Sequence, residues 1–128
     1  MAALKEIVID SRRPAALARF WAAALDGYAV RPYDEAEIAR LAALGFTPET
    51  DPGVMVDGPG PTLCFQLNPA PKTARNRVHM DIAAVSRAAE VERLTGLGAR
   101  VRDEHDGFTV MLDPEGNEFC VVAARPAG

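Results

Sequence analysis

The chain has 128 residues, of which 48% are hydrophobic and 25% charged, which fits one globular domain with an apolar core and excludes a disordered chain. Its net charge of −4 argues against nucleic acid or an anionic membrane surface as a partner, because both attract a concentrated positive field. We therefore expect a small molecule or a second copy of the chain as the partner.

The sequence also bears on the cellular compartment of the protein and on the oxidation state of its two cysteines. No signal peptide precedes the first predicted strand, and no apolar run approaches the ~18 residues that a membrane span needs. We therefore expect a cytoplasmic protein. In a reducing compartment, Cys64 and Cys120 are expected to be free thiols that behave as small core residues.

The first half of the chain begins with a predicted strand and helix. Residues 7–9 form a β-branched run that predicts a strand, and Pro14 suits the first turn of a helix. Gly27 is the expected C′ residue of that helix. Its apolar positions recur at the spacing of one helical face, which predicts core packing, and they are Leu17, Phe20, Trp21, Ala24 and Leu25.

A second, shorter helix is predicted later in this half. Asp34 followed by Glu37 is a variant of the capping box, and the pattern stops at Gly45. Extended segments are expected on either side of it, at residues 28–31, 54–56 and 63–67. The proline-rich start of segment 68–77 breaks regular structure and marks the join between two halves.

The second half repeats the order of a strand, a helix and three strands. A strand is predicted at 78–82, and Ser86 and Gly98 are the expected ends of a helix. Residues 99–102 extend, and Asp106-Gly107 offers a hairpin turn. The apolar helix positions are Ala88, Val91, Leu94 and Leu97, and the alternating strand positions are Phe108, Val110 and Leu112.

Spacing supports an internal duplication. One set of residues recurs 56 positions later, namely Asp57, Gly60 and Cys64 at Asp113, Gly116 and Cys120. The starts of the two first strands, Glu6 and His79, lie 73 residues apart, and the two helix-ending glycines lie 71 apart. The first half therefore carries 15 additional residues, in an interval that contains the second predicted helix. A single insertion into one of two equivalent modules accounts for the difference between the offsets of 71 and 56 residues.

Several stretches together resemble the glyoxalase, bleomycin-resistance and extradiol dioxygenase superfamily, the vicinal oxygen chelate proteins, and in particular its small glyoxalase-like subgroup. They are Glu6-Ile-Val-Ile-Asp, Phe20-Trp-Ala-Ala-Ala-Leu, His79-Met-Asp-Ile, Leu97-Gly-Ala-Arg-Val and Asp113-Pro-Glu-Gly-Asn-Glu-Phe-Cys-Val-Val. The resemblance implies an α+β fold in one domain, with module one at about 1–70 and module two at about 76–128. It also implies that each βαβββ module forms a curved mixed sheet, that the paired sheets surround a cavity, and that the chain forms a homodimer.

The resemblance further implies four positions at which metal-binding members hold an ion. Mapped onto this chain, they are Glu6, Cys64, His79 and Cys120, of which only His79 has the residue type usual there. Imidazole, carboxylate and two thiolates suit zinc, and such a closed set is typical of a structural site. We expect instead that no cofactor is bound and that these residues line an ordinary pocket, and the zinc site is the alternative.

Strand alternation extends the set of pocket candidates. Gln66 shares the face of Cys64, Glu118 and Val122 share that of Cys120, and Asp81 shares that of His79 as its possible hydrogen-bond partner. Trp21, by contrast, is expected in the core. Three cations near the join form a basic patch, either solvated or placed to attract an anionic ligand to a cavity mouth, and they are Lys72, Arg75 and Arg77.

Three hypotheses about function stay open at this point. The first is a small-molecule binding protein with a degenerate metal site, and the second is a metal-dependent lyase or isomerase that uses Glu6 and His79 as catalytic residues. The third is a non-catalytic dimerising module. Extradiol dioxygenase chemistry is not expected, because it requires two histidines and a carboxylate on iron, and His105 is predicted in a hairpin turn.

Overall fold

The computed structural model describes residues 1–124 of the chain. The chain divides into two compact units, Met1–Pro71 and Lys72–Gly128, and the division falls inside the predicted join at 68–77. None of the helices in residues 1–124 is both long enough and apolar enough to span a bilayer.

The first unit is a four-stranded mixed sheet with two helices. Its sheet has the order β1-β4-β3-β2, in which β1 runs parallel to β4 and the other neighbours are antiparallel. The first strand therefore pairs with the last strand of the same unit. The elements are β1 (Glu6–Ser11), α1 (Pro14–Ala24), β2 (Ala29–Val30), α2 (Glu35–Ala43), β3 (Gly53–Asp57) and β4 (Thr62–Leu67).

The second unit has the same topology without an equivalent of α2. Its sheet order is β5-β8-β7-β6, again with the first and last strands parallel. The prediction of an α+β fold built from two βαβββ modules is confirmed, and closure of the two sheets around a cavity stays a prediction. The elements are β5 (Met80–Ala84), α3 (Arg87–Leu97), β6 (Arg100–His105), β7 (Phe108–Leu112) and β8 (Glu118–Ala123).

Most of the helix ends follow the capping residues that the sequence offers. The Asp34 side chain accepts a hydrogen bond from the Glu37 amide at 2.8 Å, which caps α2. Ser86 caps α3 in the same way, and Gly98 ends it in the left-handed conformation, at φ 117°. The prediction for Gly27 was wrong, because α1 ends at Ala24 and its cap residue Leu25 is extended.

The core of the first unit lies between α1 and its sheet. Leu17 and Trp21 are each 1% exposed, and α1 contacts β3 and β4. The rings of Phe20 and Trp21 meet edge to face, with centroids 5.1 Å apart. Each such fully buried large side chain stabilises the fold by roughly 1.5–3 kcal/mol relative to exposure. Trp21 is therefore a core residue, as its helical spacing predicts.

Polar contacts connect the inserted segment to the rest of the first unit. Arg19 on α1 makes a two-pronged ion pair with Glu49, at 2.8 and 2.9 Å. The Tyr33 hydroxyl donates to the buried Asp51 carboxylate at 2.7 Å, and that carboxylate also accepts from the Gly53 amide. The insertion therefore has fixed attachment points on both sides of α2.

The turns before β4 and β8 carry the repeated motif, but their aspartates do not occupy equivalent positions. Asp57 is the last residue of β3, is 42% exposed and pairs with Arg31. Asp113 is buried and sits inside its turn, where it accepts hydrogen bonds from the amides of Glu115 and Asn117. The expected equivalence of the two aspartates was therefore wrong. The turn before β8 is one residue longer than the turn before β4, which displaces the aspartate.

Candidate functional site

The sheet of the second unit has one face covered by α3 and one face that carries a pocket. Phe119 and Val121 of β8 are at most 1% exposed, on the side where α3 packs. Because successive side chains of a strand point to opposite faces, Glu118, Cys120 and Val122 lie on the other face. An open pocket of about 550 Å³ is found there, and all three residues line it.

A polar cluster forms one wall of this pocket. His79 precedes β5 directly, and its Nδ1 lies 3.3 Å from Oδ1 of Asp81. Asp81 is paired with Cys120 across the parallel strands β5 and β8. One donor atom from each of the three side chains lies within 4.8 Å of the other two. No other group of three or more His, Cys, Asp or Glu donors is this close anywhere in residues 1–124.

The Cys120 thiol is held in its protonated form at neutral pH. Burial raises its pKa above the usual 9.0, and the negative charge of Asp81 and a hydrogen bond to that carboxylate raise it further. Arg102 acts in the opposite direction with a smaller effect. Cys120 is therefore not a ready nucleophile, since attack requires the thiolate.

Glu118 connects the start of the second unit to β8. Its carboxylate accepts from Lys72 Nζ at 2.8 Å and from the Asn76 amide at 3.0 Å. Burial would raise the pKa of Glu118, but these hydrogen bonds outweigh burial and hold it at about 2. The carboxylate is therefore ionised at neutral pH and fully engaged, so it fixes the segment that it binds instead of serving as a free base.

Aromatic and cationic side chains complete the pocket on the β6–β7 side. The rings of His105 and Phe108 are stacked, with centroids 4.6 Å apart and planes 15° from parallel. Arg102 pairs with Asp103 at 2.8 Å and lies 3.8 Å from Glu118. The expectation that His105 belongs to a turn was wrong, because it is the last residue of β6 and lines the pocket.

The first unit carries the remaining candidate residues. Glu6 is the first residue of β1. Cys64 and Gln66 are on β4, where Cys64 pairs with Val8 of β1. Cys64 is 6% exposed, and burial together with the charge of Glu6 raises the pKa of its thiol. Glu6, Cys64 and Gln66 do not line the pocket of the second unit.

The structure thus brings five of the predicted residues together in one pocket: His79, Asp81, Glu118, Cys120 and Val122. Alternation from Cys120 could also have found Val110, its neighbour on β7. Arg102 could not be found in this way, because a register shift between Val101 and Asp103 interrupts the alternation of β6. His105 and Asn76 carried no signal that singles them out for this site.

The comparisons with known proteins agree with this topology. The model of the glyoxalase-like domain matches residues 6–122. The chain belongs to the glyoxalase-like domain family. No curated protein matches it.

Solved structures with this fold include resistance proteins and enzymes. The fosfomycin resistance protein FosX from Mesorhizobium loti is 12% identical with a TM-score of 0.67, over 98% of this chain and 94% of that one. A glyoxalase/bleomycin resistance protein/dioxygenase family enzyme from Burkholderia phytofirmans is 17% identical with a TM-score of 0.63, over 97% and 100%. A bleomycin-binding protein complexed with bleomycin is 12% identical with a TM-score of 0.52, over 98% and 100%. At these identities the likeness concerns the fold.

The second unit offers a donor set that fits a metal ion. Imidazole, carboxylate and thiolate from His79, Asp81 and Cys120 are close enough to surround a single ion. Their mixture of nitrogen, oxygen and sulfur suits zinc better than magnesium or calcium. Cysteine at positions 64 and 120, however, leaves no glutamate at the last-strand positions to act as a metal-bound base.

Proposed function

We propose that this glyoxalase-like protein binds a small organic molecule in the pocket of its second unit and has no committed metal chemistry. The pocket itself carries the proposal. A volume of about 550 Å³ lies within the range of small-ligand sites, and the lining combines polar and charged side chains with an apolar group that includes Phe108, Val110 and Val122. The bleomycin-binding protein of the same fold binds a small molecule, which supports this role.

The pocket can be tested by filling it. Val122 is half-buried on the pocket wall, whereas Val85 is 96% exposed and outside the pocket. Compounds that raise the Tm of the wild-type protein should no longer do so for Val122→Trp, and they should act normally on Val85→Trp. Unchanged binding to Val122→Trp would contradict the proposal, as would a broad panel of small molecules without any stabilising compound.

A metal-dependent lyase or isomerase is the second candidate, and the convergence of His79, Asp81 and Cys120 favours it. These side chains would hold the ion on the second unit, and a bound zinc ion would polarise a carbonyl oxygen as a Lewis acid. Nδ1 of His79 lies 3.3 Å from Oδ1 of Asp81, so the two side chains already point to the same place.

The metal content of the purified protein distinguishes the small-molecule binding protein from the metal-dependent lyase or isomerase. Protein purified without a histidine tag should contain no stoichiometric metal under the first proposal. One zinc per chain that is lost in both His79→Ala and Asp81→Ala would instead support the lyase or isomerase. His105→Ala is the matched control, since His105 lies in the same pocket but outside the donor cluster.

A further inference from the structure

The pocket lining includes the cationic side chain of Arg75. Arg75 borders the pocket and makes no hydrogen bond or ion pair with any residue in the described range 1–124. The other charges at the pocket are engaged: Glu118 is bound by Lys72, and Arg102 is bound by Asp103. Asp81 faces His79 and Cys120. A guanidinium group therefore remains available for one negative charge.

The segment that carries Arg75 is held in place at both ends. Lys72 and Asn76 bracket Arg75 in the sequence, and both donate to the carboxylate of Glu118 on β8. The side chain of Glu118 is only 13% exposed, so water competes poorly for these hydrogen bonds. Arg75 therefore extends from a backbone that is attached to the sheet, which reduces the entropy lost when it binds a ligand.

A flat surface lies in the same pocket. The imidazole of His105 and the ring of Phe108 are stacked in parallel at 4.6 Å, and Phe108 is 36% exposed. Val110 and Val122 add apolar surface next to this pair. Such a surface favours a planar ring, which can continue the stack and cover the apolar side chains.

We infer that the pocket selects a planar aromatic or conjugated molecule that carries a single carboxylate, bound by Arg75, with its ring against His105 and Phe108. A guanidinium matches a carboxylate with two parallel hydrogen bonds, which a neutral amide cannot reproduce at equal strength. One free cation accommodates one negative charge, and the engaged carboxylates of Glu118 and Asp81 disfavour a second. This inference rests on the proposed function, which it extends to a class of ligand.

Three probes of similar size separate charge from ring shape. They are 2-naphthoate, the neutral 2-naphthamide and the non-planar trans-decalin-2-carboxylate, each titrated into the protein by calorimetry. We expect 2-naphthoate to bind at least about tenfold more tightly than either of the others, because it alone makes the charge-assisted contact and the stack.

Two matched variants test the assignment to Arg75. Arg75→Gln should weaken 2-naphthoate about tenfold and leave 2-naphthamide unchanged. Arg77→Gln removes a cation two residues away that does not line the pocket, and it should change neither affinity. Phe108→Leu should weaken both naphthalene compounds and leave the decalin acid unaffected. Far-UV circular dichroism establishes that each variant is folded.

The possible failures are distinguishable. Equal affinities for 2-naphthoate and 2-naphthamide would overturn the inference, and so would equal losses of 2-naphthoate affinity in Arg75→Gln and Arg77→Gln. In either case the proposed function stands if Val122→Trp abolishes the binding of 2-naphthoate. Absence of 2-naphthoate binding also overturns the inference. The proposed function fails with it only if the broader panel of small molecules gives no stabilising compound either.

Discussion

Asp81 and Cys120 lie directly opposite each other on the parallel strands β5 and β8. In the first unit, the equivalent places on β1 and β4 hold Val8 and Cys64. The duplication has thus kept the cysteine in both halves and placed a carboxylate beside only one of them. The two thiols therefore experience different surroundings, although their positions in the two sheets are the same.

The first prediction concerns the reactivity of Cys120. In a Cys64→Ala background, Asp81→Asn should speed alkylation of Cys120 by iodoacetamide at pH 7.5 by roughly three- to tenfold. Burial raises the pKa of Cys120 first, and removal of the Asp81 charge takes away the second contribution, so the thiolate fraction increases. Mass spectrometry over time in buffer with EDTA measures the rate. Asp106→Asn, in the β6–β7 turn, is the control, and an unchanged rate in Asp81→Asn would contradict the prediction.

The second prediction concerns the acid stability contributed by Glu118. Its pKa falls from the usual 4.5 to about 2 in the folded protein, because hydrogen bonds from Lys72 and Asn76 outweigh burial. A depressed pKa of this kind adds stability above about pH 4.5 that is lost as the pH falls toward 2. Glu118→Gln should therefore lower the free energy of unfolding by about 1–3 kcal/mol at pH 7 and by much less near pH 2.5.

Urea unfolding at a series of pH values measures this difference. Glu104→Gln on β6, in the same sheet, is the matched control, since Glu104 is exposed. A difference between wild type and Glu118→Gln that stays constant from pH 7 to pH 2.5 would show that the carboxylate is not held ionised by the fold.

The third prediction compares the two repeated aspartates. Asp113→Ala should destabilise the protein by about 2–3 kcal/mol, because it removes a buried carboxylate and leaves two part-buried amides of the turn without their acceptor. Asp57→Ala should cost less than about 1 kcal/mol, since its pairing with Arg31 is exposed to solvent. Chemical denaturation gives both values. Equal costs would mean that the two turns are equivalent after all.

The fourth prediction concerns the attachment of the inserted segment. Tyr33→Phe should lower the free energy of unfolding by about 1–2 kcal/mol, because the buried Asp51 loses its 2.7 Å hydrogen bond. Tyr28→Phe removes a hydroxyl that donates to the Pro61 carbonyl at an exposed site, and it should cost less than about 0.5 kcal/mol. Thermal unfolding of the two variants measures both losses of stability. Similar losses in Tyr33→Phe and Tyr28→Phe would argue against a special role for Asp51.

Local chemistry made much of the fold predictable from the sequence. The caps at Asp34 and Ser86 and the glycine at 98 act within one helical turn, so their effect can be read without tertiary information. The repeat of the cysteines was visible in the sequence as a fixed spacing of 56 residues. The structure places the two cysteines on β4 and β8, which hold the same position in their four-stranded sheets. The end of α1 was not predictable from Gly27, because the chain leaves the helix at Leu25 in an extended conformation.

The site was only partly predictable, since it combines residues that no single periodicity connects. Alternation along β5 and β8 placed Asp81, Glu118 and Val122 correctly on the faces of His79 and Cys120. The loop residue Asn76 reaches the pocket through an amide bonded to Glu118, 42 positions away. The sequence indicates the β6–β7 hairpin through Asp106-Gly107, but it does not specify the side-chain orientation that stacks the ring of His105 on that of Phe108.

The pairing of the first strand with the last strand in each unit has a consequence for biosynthesis. The inner strands β4 and β8 are the last of their units to leave the ribosome, and until then β1 and β5 lack their neighbours. Each nascent unit therefore presents open strand edges that invite chaperones or aggregation until its final strand emerges. A premature stop before Glu118 would leave β5 without a partner strand and β7 paired with β6 alone, because β8 lies between β5 and β7 in the sheet.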